Sequence, residues 1–152
     1  MSAIPYQADG YHSLTPSLTV QNGAAAVDFY KNAFGATEVM CLKMPDGKVM
    51  HGELQIGDSR FMLSDEFPDW GCLSPQTIGG TASALMIYVP DVDSSFAQAV
   101  AAGATSVSPP KDQFWGDRSA CILDPFGHRW TLSTHKEEVS AEEMEERAKA
   151  FC

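Results

Sequence analysis

The stretch Asp112-Gln113-Phe114-Trp115-Gly116-Asp117-Arg118, running through Asp124-Pro125-Phe126-Gly127-His128-Arg129-Trp130 to His135, decides how this chain folds. Its centre, Asp124-Pro125-Phe126-Gly127, reads as a turn. Proline presets φ at the second position, aspartate accepts a hydrogen bond from the turn backbone, and glycine tolerates positive φ. Before the turn, Arg118, Ala120 and Ile122 alternate with Cys121 and Leu123. After it, Trp130 and Leu132 alternate with Arg129, Thr131 and Ser133. Period two on both arms of a turn predicts a β-hairpin.

A weaker copy of this hairpin lies earlier in the chain. Gly35-Ala36-Thr37 recurs as Gly103-Ala104-Thr105 after 68 residues, and Arg60-Phe61-Met62-Leu63-Ser64 recurs as Arg129-Trp130-Thr131-Leu132-Ser133 after 69. Two matches at nearly one offset, with the same elements between them, predict an internal duplication. Residues 1–13 read as a loosely held polar arm. Ser13 to Val20 alternates as a half-buried strand, with Pro16 marking an unpaired edge. Asn22 offers a helix N-cap, and Ala26, Phe29, Tyr30 and Ala33 keep helical spacing until Gly35 ends the helix. Val39–Met44, Lys48–Ile56 and Arg60–Ser64 are the following strands. The order returns with a strand at Ala84–Val89 and a helix capped by Asp91, whose apolar face is Val92, Phe96 and Val100. A short strand at Thr105–Val107 and the two arms of the hairpin complete it.

The expected class is therefore α+β, built as two tandem β-α-β-β-β modules at 14–64 and 82–135, within one compact domain. Residues 65–81 form a linker rich in Pro and Gly, a lid or a crossover, in which Trp70 reads as a packing anchor. Residues 136–152 form an acidic C-terminal helix opened by the capping box Ser140-Ala-Glu-Glu143 and docked by Met144 and Phe151.

Composition sets the bounds. The 152 residues are 44% hydrophobic, enough for one real core. A net charge of −10 opposes nucleic acid and anionic membrane. No apolar run approaches the ~18 residues of a membrane span, and the first ten residues lack the basic and apolar regions of a secretory signal. Cys41, Cys72, Cys121 and Cys152 show no C-x-x-C spacing and read as reduced structural thiols. A cytoplasmic location is expected.

Several motifs resemble those of the vicinal oxygen chelate superfamily of glyoxalases, bleomycin-resistance proteins and dioxygenases, in its PhnB-like branch. They are Ala26-Val-Asp-Phe-Tyr-Lys-Asn-Ala-Phe-Gly-Ala36, Met44-Pro-Asp-Gly-Lys48, Gln113-Phe-Trp-Gly-Asp-Arg118, Asp124-Pro-Phe-Gly-His-Arg-Trp130 and the acidic Ser140-x-Glu-Glu-Met tail. The resemblance implies that each module curls its sheet into a half-barrel with helices outside and a ligand on the concave inside. Strand parity then assigns faces. Leu18, Val20, Met50, Leu54, Ile56, Phe61, Leu63, Leu85, Ile87, Val89, Cys121, Leu123, Trp130 and Leu132 turn to the helices. The concave face receives Thr15, Ser17, His51, Glu53, Gln55, Arg60, Met62, Ala84, Met86, Tyr88, Arg118, Ile122, Arg129 and Thr131.

The metalloenzymes of the superfamily take one His or Glu from the first and last strand of each module. By resemblance those positions fall on Thr15, Met62, Ala84 and Thr131, which are poor ligands for a divalent cation. No metal and no cofactor are expected. His51 and Glu53 share one strand face and are the candidate acid/base pair; a satisfied polar patch and a displaced metal site are the other readings. Arg118 is a candidate clamp for a carboxylate or phosphate, or a partner of Glu53 or Asp117. Trp115 is a candidate cap that stacks on a ligand, with Gln55, Met62, Met86, Tyr88 and Thr131 as lining. His12, His128 and His135 carry no assigned role.

Three functions are compatible with this reading. The first is a metal-free small-molecule binder like the bleomycin-binding members, for a small ligand, an anion among the candidates. The second is a lyase-like or other enzyme of the same superfamily using His51 and Glu53, so whether the chain is catalytic stays open. The third is a quinone-related methyltransferase, which no glycine-rich strand-to-helix loop supports. A homodimer is expected, from the proline-bearing edge strand and the open half-barrel.

Overall fold

The computed structural model describes residues Ser2–Phe151, and its contacts divide the chain into two compact units, 1–80 and 81–152. In the first unit the order is β1 (Ser17–Val20), α1 (Gly23–Phe34), β2 (Thr37–Lys43), β3 (Val49–Ile56) and β4 (Ser59–Asp65). A 3-10 turn at Pro68–Trp70 and the short helix α2 (Pro75–Ile78) follow. In the second unit come β5 (Ala84–Tyr88), α3 (Val92–Ala102), β6 (Thr105–Asp112), β7 (Asp117–Leu123), β8 (Arg129–His135) and α4 (Ala141–Lys149). The sheet orders are β1-β4-β3-β2 and β5-β8-β7-β6. The first strand of each sheet pairs parallel with the last, and the other pairings are antiparallel. The two tandem β-α-β-β-β modules are thus present, each with its helix on one face of a four-stranded mixed sheet.

Local chemistry places these elements. Asn22 caps α1 by accepting from the Ala25 N–H, and Gly35 closes it in the left-handed conformation. Asp91 caps α3 by accepting from the Asp93 and Ser94 N–H groups. In the first core Tyr30, Val20, Leu54 and Leu63 are fully buried, with Phe61 edge-on to Tyr30 at 5.4 Å. In the second, Val92 and Ala99 of α3 face a sheet carrying Ile122, Trp130 and Leu132, all buried. Val100, expected on that apolar face, is 39% exposed because Ala99 takes the inward position.

Several expectations need correction. The first strand begins at Ser17, so Leu14 lies outside it and is exposed. Met50 turns to solvent and Val49 inward, because the β2–β3 register slips between Leu42 and Lys43 and leaves Met50 unpaired. β6 runs on to Asp112 as an irregular edge through Pro109 and Pro110. Trp70 packs on Phe67 with ring centroids 4.9 Å apart but is largely exposed, so it anchors little. Cys41, Cys72 and Cys121 are free thiols; Cys152 lies outside the described residues.

The arm ahead of β1 is held rather than loose. Arg60 donates to the Asp9 carbonyl, the Tyr11 ring lies 5.3 Å from the Arg60 guanidinium, and His12 Nε2 lies 3.0 Å from the Asp58 carbonyl oxygen. Gly10 is required there, since it has positive φ and a Cβ would enter the Arg60 guanidinium.

Candidate functional site

Each unit has a sheet face turned away from its helix, and the polar residues with chemical potential gather there. In the first unit, register puts Glu53 opposite Met62 and Gln55 opposite Arg60, while Leu54 and Phe61 face α1. His51 Nε2 lies 3.1 Å from Glu53 Oε1. The buried Tyr11 hydroxyl sits beside the same carboxylate without closing a hydrogen bond to it. The bond to His51, and next the neighbouring Tyr11, hold Glu53 below the usual carboxylate range. Burial first, and the Glu53 carboxylate second, push Tyr11 up. Arg60 Nε donates to Gln55 Oε1, so Gln55 is committed within the protein. An ionised Glu53 here is the group that fixes the His51 ring.

In the second unit the expected parity of β7 is reversed. Ile122 pairs with Trp130 and Ala120 with Leu132, so Arg118, Ala120 and Ile122 face α3, while Asp117, Ser119 and Cys121 line the other face with Thr131, Ser133 and His135. Apolar residues stand on both faces of β7, and Ser119 through Ile122 are all buried, so alternation alone could not choose. Arg118 therefore does not join His51 and Glu53 on the face away from the helices. Its guanidinium donates twice to Asp93, at 2.8 and 2.9 Å, and once to Asp112, and Asp93 first, then Asp112, raise its pKa further. With Asp91, Lys136 and Thr134 it lines a shallow polar cleft of about 280 Å³ at the start of α3.

The open face of the second sheet holds Met86 opposite Thr131 and Tyr88 opposite Ser133. At its end stands a cluster that the sequence reading missed. Asp117, only 5% exposed, accepts from His135 Nδ1 at 2.7 Å and from the Ser133 hydroxyl at 3.1 Å, with the Tyr88 hydroxyl at 3.5 Å. The Trp115 side chain also helps to hold the same carboxylate down. The signal was available: counting outward from the Leu123–Arg129 pair beside the turn reaches Asp117 opposite His135.

Burial alone would raise the pKa of Asp117, but hydrogen bonds from His135 and Ser133 outweigh it and hold it down. The bond to Asp117, then that to Glu138, raises His135. The sign follows. A raised histidine contributes stability that is complete below its unfolded value of about 6.5 and is lost as pH rises through the higher folded value. The stability difference between the protein and its His135→Gln variant is expected to shrink from pH 6 to pH 9 in urea titrations. A difference that is constant or grows across that range contradicts the pairing.

Residues 11–132 match the family described as Glyoxalase/Bleomycin resistance protein/Dioxygenase superfamily. The chain belongs to this superfamily. An uncharacterized protein from Mycobacterium bovis is 40% identical over 136 residues, covering 88% of this chain and 90% of its own length. The crystal structure of TioX from Micromonospora sp. ML1 is similar at 28% identity and a TM-score of 0.65, covering 82% of this chain and 98% of TioX. A gene product from Arabidopsis thaliana follows at 27% identity and a TM-score of 0.64, over 81% of this chain and 98% of that one.

The four metal positions that the resemblance implies are Thr15, Met62, Ala84 and Thr131. In this superfamily member Thr15 hydrogen-bonds to the His12 carbonyl and Met62 offers only a thioether. Ala84 has no donor, so the set does not fit a hard or borderline divalent cation. Among the described residues no group of three or more His, Cys, Asp or Glu side chains is arranged to hold a metal ion. No helix among them is long and apolar enough to cross a membrane.

Proposed function

We propose that this superfamily member binds a small molecule on the sheet faces turned away from its helices, without the divalent metal of the related enzymes. The observation that carries this reading is the second sheet's open face. Met86 and Tyr88 stay 52% and 66% exposed there beside the buried Asp117 cluster. Apolar side chains next to a few fixed polar groups are what a small-molecule site requires. Thr131 belongs to that face, and His51, Glu53, Gln55 and Met62 to the corresponding face of the first unit. The motifs around Phe29, Trp115 and Trp130 support a place in the PhnB-like branch. A homodimer fits the exposed Val39, Met40 and Leu42 on the edge strand β2.

Native mass spectrometry tests this reading on protein purified without chelator. A small-molecule adduct on a dimer is expected, surviving dialysis against EDTA. Loss of the adduct on chelation would overturn the metal-free reading, and a monomer the assembly.

The hydrogen bond between His51 and Glu53 favours a second reading, an enzyme in which His51 moves the proton and Glu53 fixes its tautomer. Conversion of the bound molecule by the protein but not by His51→Gln would select that reading.

A further inference from the structure

The Asp117 cluster does more than hold β7 to β8. Asp117 accepts a hydrogen bond from His135 Nδ1–H, and between the Asp117 and Glu138 carboxylates the ring stands as the imidazolium, whose Nε2–H points away from the buried carboxylate. Nε2 meets Glu138 Oε1 at 3.0 Å. Glu138 is 95% exposed and lies in the irregular segment between β8 and α4. An ion pair that exposed contributes little to stability, so its carboxylate is readily displaced. Tyr88 reaches the other oxygen of the Asp117 carboxylate from β5, on the open face it shares with Met86.

We propose that His135, fixed by Asp117, receives the carboxylate group of a small ligand whose apolar or aromatic body lies over Met86 and Tyr88, Glu138 being the built-in group it replaces. This rests on the reading that the second open face binds a small molecule, and it adds the ligand's chemical class. The imidazolium Nε2–H offers one charge-assisted donor, suited to a single carboxylate oxygen. Asp117 and Glu138 on either side of His135, and a chain charge of −10, disfavour a dianion such as phosphate. One imidazole and one carboxylate do not make a metal site.

The full chain is titrated with benzoate, with neutral benzamide and with inorganic phosphate, following the His135 ring nitrogens, the Tyr88 ring and the Met86 methyl by NMR. Benzoate is expected to saturate with shifts at all three. Benzamide should bind at least about tenfold more weakly, and phosphate should leave them unmoved. Glu138→Gln, a substitution at an exposed position, should tighten benzoate about threefold. His135→Gln should weaken it about tenfold or more.

If benzoate and benzamide bind equally and shift Met86 and Tyr88 but not His135, the face binds small molecules and the carboxylate assignment is wrong. Weakened benzoate binding in Glu138→Gln, or shifts with phosphate alone, also overturns it. Should none of the three residues respond to benzoate even in Glu138→Gln, both the assignment and the reading beneath it fail.

Discussion

Replacing Asp124 with alanine is expected to destabilise the second unit by about 3–5 kcal/mol. Asp124 is 4% exposed, and its carboxylate organises the whole turn. Oδ1 accepts from the Phe126 and His128 N–H groups, both at 2.9 Å, and Oδ2 accepts from the indole N–H of Trp130, also at 2.9 Å. Alanine would remove the buried acceptor that three N–H groups share, and losing hydrogen bonds in the core is costly. Urea unfolding followed by tryptophan fluorescence measures the loss. Asp124→Asn, which keeps one acceptor oxygen, should lose clearly less. A change below about 1 kcal/mol for the alanine variant would mean that the turn holds without its carboxylate.

The second large effect is expected in the first unit, where Asp65→Ala should cost about 2–4 kcal/mol. Asp65 ends β4 and is buried, accepting from the Gly23 N–H at 3.1 Å and the Val49 N–H at 2.6 Å. It joins three elements at one point, and its charge lies at the N-terminus of α1, where the helix dipole favours an anion. Gly23 has to be glycine, since a Cβ would press on Val49 and on the Asp65 carboxylate itself. Amide hydrogen exchange gives the local readout. Protection in the first turn of α1 and at Val49 should fall together in the variant. Loss of protection confined to one of them would show that Asp65 does not couple the helix to the sheet.

The sequence carried the modules because their signals are local. Asn22, Gly35, Asp91 and Gly103 bound the two helices at the residues where the caps are found. The Asp124–Gly127 turn sits between the strands it was expected to join. Faces were legible where one side of a strand is plainly apolar, as with Leu54 and Leu63. They were not legible in β7, where apolar residues stand on both sides, nor at Met50, where a register slip changes the phase. Arg118 was misplaced for that reason. Its partner Asp93 lies on a helix 25 residues earlier, a pairing no local pattern encodes. The Asp117–His135 contact was of a different kind, since the register of the hairpin contains it once pairs are counted from the turn.

Each sheet is closed by a parallel seam. Ser17 pairs with Met62 and Ala84 with Arg129, each pair 45 residues apart, whereas the antiparallel strands between them are joined by short connections. During synthesis the meander of β2, β3 and β4 can assemble as it emerges, but β1 has no partner until β4 is made, and β5 none until β8 is made. Once β4 is made, β1 has to reach its exposed edge before another strand does. Because β1 and β5 are equivalent in topology, a late-arriving β5 docked on β4 in place of β1 is the assembly error that this duplication makes geometrically available.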